Sequence, residues 1–150
     1  MQDLIRKNSQ CLKIYHADFS SDLELPVVSQ GISAGFPSPA EDFLELRMDL
    51  NREFIKHPNA TFYAYVSGDS MIGAGLDSGD LLIIDKSIEI KNNRIAVCFI
   101  DGEFTIKRIK VEGNSLWLFP ANKKYSPIQI TEDNEFVIWG VVTTVIKNLL

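Results

Sequence analysis

The sequence predicts a mainly β protein, with a partly closed β-sheet, short helices and an extended N-terminal arm. Three observations support this. From residue 60 onward, short apolar and β-branched runs alternate with turn residues. Asp101-Gly102 lies between two such runs and is a strong hairpin signal, because a type I′ turn needs positive φ at both central residues. Residues 1–38 show no sustained helical or strand periodicity. We therefore place the arm at residues 1–38 and the β domain at residues 39–150.

The arm ends in a run dense in Gly, Ser and Pro at residues 30–39. Such a composition favours an extended and mobile segment. Weak strand patterns occur within it around residues 12–15 and 25–28.

Helix signals follow the arm. Ser38 can cap a helix whose first residue is Pro39 and whose third is Glu41. A second start at Asp49 could continue this helix, or begin a new short one, as far as His57 before Pro58 stops it. The apolar face of the predicted helix consists of Phe43, Leu44, Leu46, Met48 and Leu50.

The predicted strands follow in order at residues 61–66, 81–85, 94–100, 103–111, 115–119 and 136–146. The fourth is the return strand of the Asp101-Gly102 hairpin. The last is long and interrupted by Gly140, where we expect a bulge or a close approach.

Composition excludes several functions. With 15 Lys and Arg against 20 Asp and Glu, the formal net charge is −5, so direct binding to nucleic acid through a basic face is not expected. The sequence contains neither a membrane-length apolar segment nor a secretory signal, which predicts a cytoplasmic protein without membrane contact. Cys11 and Cys98 are too few and too far apart for a metal site and are expected to be reduced thiols.

Ser70 is a candidate nucleophile because it follows the first strand of the β domain across the Ser67-Gly68-Asp69 turn. A serine there presents its hydroxyl beside backbone amides that can stabilise an oxyanion. Its general base is not an obvious histidine. We expect His16 to be solvated and His57 to interact with a helix dipole, and neither context suggests a catalytic triad.

Lys107 is the alternative base. Strand alternation puts Thr105, Lys107 and Ile109 on one face of the 103–111 strand. Burial against apolar neighbours would lower the pKa of the lysine and leave a neutral amine that can accept the serine proton. The competing interpretation is that Lys107 extends into water, as we expect of Arg108 and Lys110.

Four segments together resemble the LexA/UmuD family of self-cleaving Ser-Lys peptidases. They are residues 67–71 (Ser-Gly-Asp-Ser-Met), 79–85, 101–108 and 125–128. The separation of Ser70 and Lys107 also matches. Residues 34–40 resemble the cleavage region of the UmuD-like members, and residues 49–51 and 57–58 resemble their linker.

The resemblance implies a LexA- and signal-peptidase-like β fold and a role for each site residue. Ser70 would be the nucleophile and Lys107 the general base, with no metal or other cofactor. The backbone amides of Asp69 and Ser70 would bind the oxyanion. The bond between Ala34 and Gly35 would be cut, where small side chains suit a shallow pocket and a sharp bend.

The resemblance also implies partners. A UmuD-like protein would be a homodimer whose self-cleavage is stimulated by a RecA filament on single-stranded DNA during the SOS response. Its shortened form would join a UmuC-type Y-family polymerase in translesion synthesis. A LexA-like repressor is the alternative, although the 34 residues before the cleavage site lack helix-turn-helix patterning. A signal peptidase would need a membrane anchor, and a scaffold without activity would not need Ser70, Lys107 and Ala34-Gly35 together.

Overall fold

The computed structural model describes residues 14–18, 20–28, 34–35 and 45–150. Its strands are β1 (Ile14–His16), β2 (Glu24–Val28), β3 (Glu45–Asp49), β4 (Thr61–Tyr65), β5 (Leu81–Asp85), β6 (Ile95–Ile100), β7 (Glu103–Glu112), β8 (Ser115–Phe119), β9 (Ile128–Ile130) and β10 (Phe136–Ile146). One short helix, α1 (Leu50–Phe54), and two 3₁₀ turns, Pro58–Ala60 and Ile72–Ala74, complete the described elements.

The mainly β prediction is confirmed. Eight strands form one antiparallel sheet in the order β1-β4-β5-β10-β6-β7-β8-β9. β2 and β3 form a separate two-stranded ribbon. The predicted strand positions in the β domain agree with β4, β5, β6, β7, β8 and β10.

β10 is the central strand of the large sheet, and it is irregular in two places. It pairs with β5 on one side and with β6 on the other. The register shifts between Ile138 and Gly140 on the β6 side and between Val142 and Thr144 on the β5 side. Such irregularities bend a strand and increase its twist. The prediction of a bulge or close approach at Gly140 is confirmed.

The β6–β7 hairpin turns at Asp101-Gly102, as predicted, with φ of 48° and 88° at the two residues. The Asp101 carboxylate also accepts hydrogen bonds from the backbone N–H of Glu135 at 2.9 Å and from Asn134 Nδ2 at 2.8 Å. An aspartate at this turn therefore also anchors the loop that leads into β10.

The buried side chains form two clusters. The first contains Ala64, Val66, Met71, Leu76, Leu82, Ile84, Val97 and Ile106. The second contains Ala96, Cys98, Ile109 and Leu118. Neighbouring residues of β6 and β7 alternate between the clusters, so these strands are covered on both faces. The thiol of Cys98 is free and fully buried, and burial raises its pKa to about 12. Cys11 lies outside the described residues.

The helix expected after the arm is wrong between Glu45 and Asp49, which form β3. The apolar residues Leu46, Met48 and Leu50 recur at every second position, which is the period of a strand. The second start signal was correct, since the Asp49 carboxylate caps α1 by accepting the backbone N–H of Asn51 at 2.9 Å. The helix ends at Phe54, before His57. The Ser38 start lies outside the described residues.

Both weak strand patterns of the arm correspond to strands. β1 pairs with β4, and β2 pairs with β3. β9 was not predicted, because it spans only three residues, with Gln129 in the middle, and has no apolar run. The predicted boundary between the arm and the β domain, at residue 38, lies within residues 36–44, which are outside the described residues. In the described part of the chain, no helix is long and apolar enough to cross a membrane.

Gly140→Ala should lower the free energy of unfolding by about 1–3 kcal/mol, because overpacking a tight core position forces its neighbours to move. A Cβ at this position would lie 2.6 Å from Ile84 Cγ2 and 3.4 Å from the carbonyl oxygen of Asp85. Denaturant unfolding followed by tryptophan fluorescence measures the change.

The matched control is Gly35→Ala, because a Cβ there would meet no atom of the described residues within 4 Å. This variant should unfold within about 1 kcal/mol of the wild type. Equal stabilities for the two variants would show that Gly140 is not packed as described.

Candidate active site

Ser70 lies in the loop that connects β4 to β5. The base of the loop is closed by two backbone hydrogen bonds of 2.9 Å, from Val66 N–H to the Asp80 carbonyl and from Gly79 N–H to the Val66 carbonyl. Val66, Met71 and Leu76 are buried in the first core cluster. The residues on either side of Ser70 are therefore fixed to the core, while Ser70 itself stays partly accessible.

The loop between β4 and β5 brings Ser70 to Lys107. Lys107 is on β7, three positions away from β5 in the strand order. In a flat sheet these two strands would be about 14 Å apart. The Nζ atom of Lys107 nevertheless lies 2.9 Å from Ser70 Oγ. The loop and the long lysine side chain therefore span this distance. The irregularities of β10, between β5 and β6, bend that part of the sheet. The predicted partial closure is not seen as a closed sheet, since β1 and β9 are its two edge strands.

Lys107 is buried, with an exposed fraction of 7%. Its Nζ atom contacts Thr105 Oγ1 at 2.7 Å and the Ile106 carbonyl oxygen at 3.0 Å, in addition to Ser70 Oγ. Thr105 is two residues earlier on the strand and shares the face, as the alternation predicts. The side chain thus points into the protein and not into water.

The surroundings of Lys107 favour a neutral amine. Burial lowers the pKa of Lys107 below its ordinary value of 10.5. Lys107 forms no ion pair with any residue that the structure describes. A neutral amine has two N–H donors and one lone pair. The Ile106 carbonyl can only accept, whereas the hydroxyls of Thr105 and Ser70 can donate or accept, so the lone pair of a neutral amine can accept the Ser70 O–H.

A segment that follows β8 holds the serine loop from the other side. The backbone N–H of Ala121 donates to the Ser70 carbonyl at 2.8 Å, and Gly73 N–H donates to the Ala121 carbonyl at 2.7 Å. Asn122 Nδ2 donates to the Asp69 carbonyl at 2.9 Å. A side chain at Gly73 would lie 2.5 Å from the Ala121 carbonyl oxygen, so this close approach requires glycine. We call residues 121–125 the clamp.

The clamp also orients a backbone donor. In a trans peptide, the carbonyl of one residue and the N–H of the next point in opposite directions, and the described residues contain no cis peptide. Because the Asp69 carbonyl points to Asn122, the Ser70 N–H points away from it. Within the described residues this N–H has no hydrogen-bond acceptor. The clamp does not fix the Asp69 N–H in the same way.

The side chain of Asp69 joins the clamp. Tyr125 donates its hydroxyl to the Asp69 carboxylate, and Lys124 Nζ lies 3.6 Å from that carboxylate. The tyrosine hydrogen bond lowers the pKa of Asp69, and the same bond raises the pKa of Tyr125. Asp69 is therefore an anionic anchor for the loop.

Comparison with known proteins identifies the family of this chain. The family model Peptidase S24-like matches residues 26–143. The chain belongs to this family. It is 41% identical to protein MucA of Salmonella typhimurium over 120 residues, which cover 79% of this chain and 82% of MucA. It is 39% identical to protein ImpA of the same organism over 137 residues, 89% of this chain and 93% of ImpA.

A third relative of this S24-like chain is the LexA repressor of Ectopseudomonas mendocina, which is 36% identical over 129 residues. The match covers 85% of this chain and 62% of the repressor. The resemblance to a UmuD-like member of the LexA/UmuD family is thereby confirmed.

The histidines of this S24-like chain lie away from Ser70. His57 Nδ1 contacts the buried Asp85 carboxylate at 2.6 Å, so the expected interaction with a helix dipole is replaced by a bond to a strand residue. His16 is exposed and stacks on Phe62 with ring centroids 4.6 Å apart. In the described part of the chain, no group of three or more His, Cys, Asp or Glu could hold a metal ion.

Ala34 and Gly35 are both exposed and lie in a bend. Among the described residues, the hydrogen bonds of Ser70 and Lys107 join them to each other, to β7 and to the clamp. The structure thus brings Ser70 and Lys107 together and shows the Ala34-Gly35 bond on the surface.

The sequence did not reveal the function of the clamp. Tyr125 was noticed only through the family resemblance, and Asn122 had no signal because its partner is 53 residues away. The close approach of Gly73 to Ala121 is equally invisible in the sequence, since these residues lie on loops far apart along the chain.

Asn122→Ala should loosen the serine loop without unfolding the domain, because it removes the side-chain hydrogen bond to Asp69. Amide exchange at Ile72 and Gly73 should accelerate about tenfold, the equivalent of one hydrogen bond. Hydrogen-exchange mass spectrometry measures this.

Asn134→Ala is the matched control. Its side chain bonds Asp101 in a loop on another part of the sheet, and exchange at residues 72 and 73 should stay unchanged. Unchanged exchange at these residues in the Asn122 variant would contradict the clamp.

Proposed function

We propose that this protein is a self-cleaving serine peptidase that cuts its own chain between Ala34 and Gly35. Ser70 is the nucleophile and Lys107 the general base. The observation that carries the proposal is the 2.9 Å contact between Ser70 Oγ and the amine of Lys107, which is buried and forms no ion pair with a described residue. Membership of the Peptidase S24-like family supports it.

In the first step the lone pair of Lys107 takes the proton of Ser70 while Oγ attacks the carbonyl carbon of Ala34. The resulting ammonium has three N–H groups, and its three contacts to Ser70, Thr105 and Ile106 match them. The free backbone N–H of Ser70 points away from Asn122 and stabilises the oxyanion. The Asp69 amide is the proposed second donor.

The intermediate then collapses. The bond between Ala34 and Gly35 breaks as Lys107 returns a proton to the amine of Gly35, and Ala34 remains as an ester on Ser70. Water hydrolyses the ester with Lys107 again acting as the base. The products are residues 1–34 and a chain that begins at Gly35.

Cleavage requires the exposed bend to reach Ser70. Because the bend belongs to the same protein, its effective concentration at the site is high, and a weakly activated pair suffices. Gly35 lets the backbone approach closely. A RecA filament on single-stranded DNA would act as the ligand of the competent conformation and shift the population towards it.

We place this reaction in the cytoplasmic SOS response to DNA damage. The shortened protein would act as a homodimeric accessory subunit of a UmuC-type Y-family polymerase in error-prone translesion synthesis. Similarity to MucA and ImpA over most of their length supports a UmuD-like role. The net charge of −5 is consistent with a protein whose partners, and not its own surface, contact the DNA.

A second candidate is a LexA-like repressor, which the 36% identity to a LexA repressor favours. That match covers 62% of the repressor, and the acidic charge of this chain disfavours duplex binding. Sequence-specific retardation of duplex DNA in a gel-shift assay would support the repressor.

Purified protein at alkaline pH, or with RecA, single-stranded DNA and a nucleotide, should yield a fragment beginning at Gly35. Ser70→Ala should abolish this fragment. Lys107→Ala should slow its appearance by about 10²–10⁴-fold, the usual contribution of a general base. Gel electrophoresis and N-terminal sequencing of the product measure both.

Ser67→Ala and Lys110→Ala are matched controls, because both residues are close in sequence to the pair and make no contact with it within the described residues. Both should be cleaved at the wild-type rate. Cleavage that persists in Ser70→Ala, or at full rate in Lys107→Ala, would refute the assignment.

A further inference from the structure

The ribbon of β2 and β3 joins the two sides of the proposed cleavage site. Residues Glu24 to Val28 pair antiparallel with Glu45 to Asp49 over five positions. β2 precedes the Ala34-Gly35 bond and β3 follows it. Among the described strands, β2 is the sole hydrogen-bonding neighbour of β3.

Charge reinforces this pairing. Arg52 on α1 lies 2.6 Å from Asp22 Oδ1 and 3.6 Å from Glu24 Oε1. Arg47 on β3 donates to the Glu24 carbonyl oxygen at 2.7 Å. The arm therefore offers two carboxylates, two residues apart, to an arginine beside the edge of β3.

The apolar side chains of the ribbon lie largely in solvent. Leu25 is 53% exposed and Leu46 is 50% exposed. The pairing thus depends on the backbone ladder and on surface ion pairs, which are weak individually. While β2 and β3 belong to one chain, their connection through residues 29–44 maintains a high local concentration of β2. A cut at Ala34-Gly35 would remove that advantage.

We propose that the cut turns β3 and Arg52 into an acceptor for an extended acidic segment of a partner protein. The segment would add as an antiparallel strand to the open edge of β3, in the place of β2. Two carboxylates at alternate positions would pair with Arg52, as Asp22 and Glu24 do, and apolar residues would follow them. This inference rests on the proposed cleavage.

We infer the side-chain chemistry of the partner segment from the sequence of β2 and the residues before it. Asp22, Leu23, Glu24 and Leu25 alternate acidic and apolar side chains. The protein as a whole has a net charge of −5, which disfavours a nucleic acid on this surface. An uncut chain keeps the acceptor covered, so the surface becomes available together with processing.

The test uses the full chain with Ser70→Ala and a recognition site for an exogenous protease inserted between the exposed residues Ala34 and Gly35. The probe is a fluorescein-labelled peptide of residues 20–28, measured by anisotropy at low salt before and after the exogenous cut and gel filtration. The cut chain should bind the peptide at least about tenfold more tightly than the uncut chain, where β2 competes at high effective concentration.

Charge reversal tests the recognition. Arg52→Glu should weaken binding of this peptide to the cut chain about three- to tenfold, as expected for exposed ion pairs. A peptide with Asp22→Lys and Glu24→Lys should bind the Arg52→Glu chain more tightly than the wild-type chain. Lys56→Glu is the matched control, since Lys56 is a nearby exposed cation that contacts only the Arg52 carbonyl among the described residues, and it should change binding less than twofold.

Equal binding by cut and uncut chains would overturn the proposal. If Arg52→Glu and Lys56→Glu weakened peptide binding equally, the proposal would also be overturned, because Arg52 would then not recognise the carboxylates of the peptide. The exogenous protease makes the cut in a chain that lacks Ser70, so a failure here leaves the self-cleavage proposal unaffected. Conversely, if the wild-type protein does not cleave itself, the peptide binding expected for the exogenously cut chain is unchanged.

Discussion

The central constraint in this molecule is the buried amine of Lys107, which pairs with no carboxylate among the described residues. An ammonium in such surroundings loses its hydration and gains no compensating ion pair, so burial favours the neutral form. The Nζ atom lies within hydrogen-bond distance of Ser70, Thr105 and Ile106, and a neutral amine there can accept the Ser70 O–H. In the proposed mechanism, this buried amine activates Ser70.

That contact depends on long-range features of the fold. β4 and β5 carry the serine loop, β7 carries the lysine, and β10 and β6 lie between them. The register of β10 shifts on both sides, and Gly140 leaves no room for a Cβ beside Ile84. The clamp fixes the serine loop through the hydrogen bonds of Ala121 and Asn122. The proposed site therefore needs the assembled sheet before its residues can meet.

Much of this could be predicted from the sequence. The strands of the β domain, the Asp101-Gly102 turn and the special position of Gly140 follow from local pattern and from backbone sterics. The alternation around Lys107 correctly put Thr105 on its face, although burial itself could not be derived from one strand. The helix expected at residues 45–49 was wrong, because helix-start residues outweighed a period of two in Leu46, Met48 and Leu50. The clamp was missed because its contacts join residues about 50 positions apart.

The central claim is tested most directly by the titration of Lys107 itself. Heteronuclear NMR of lysine side chains, with Lys107→Met used to assign the signal, measures its pKa in the folded protein. If Lys107 is the base, the midpoint lies clearly below the ordinary value of 10.5. A midpoint at or above that value would mean that Lys107 stays charged beside Ser70 and cannot serve as its base.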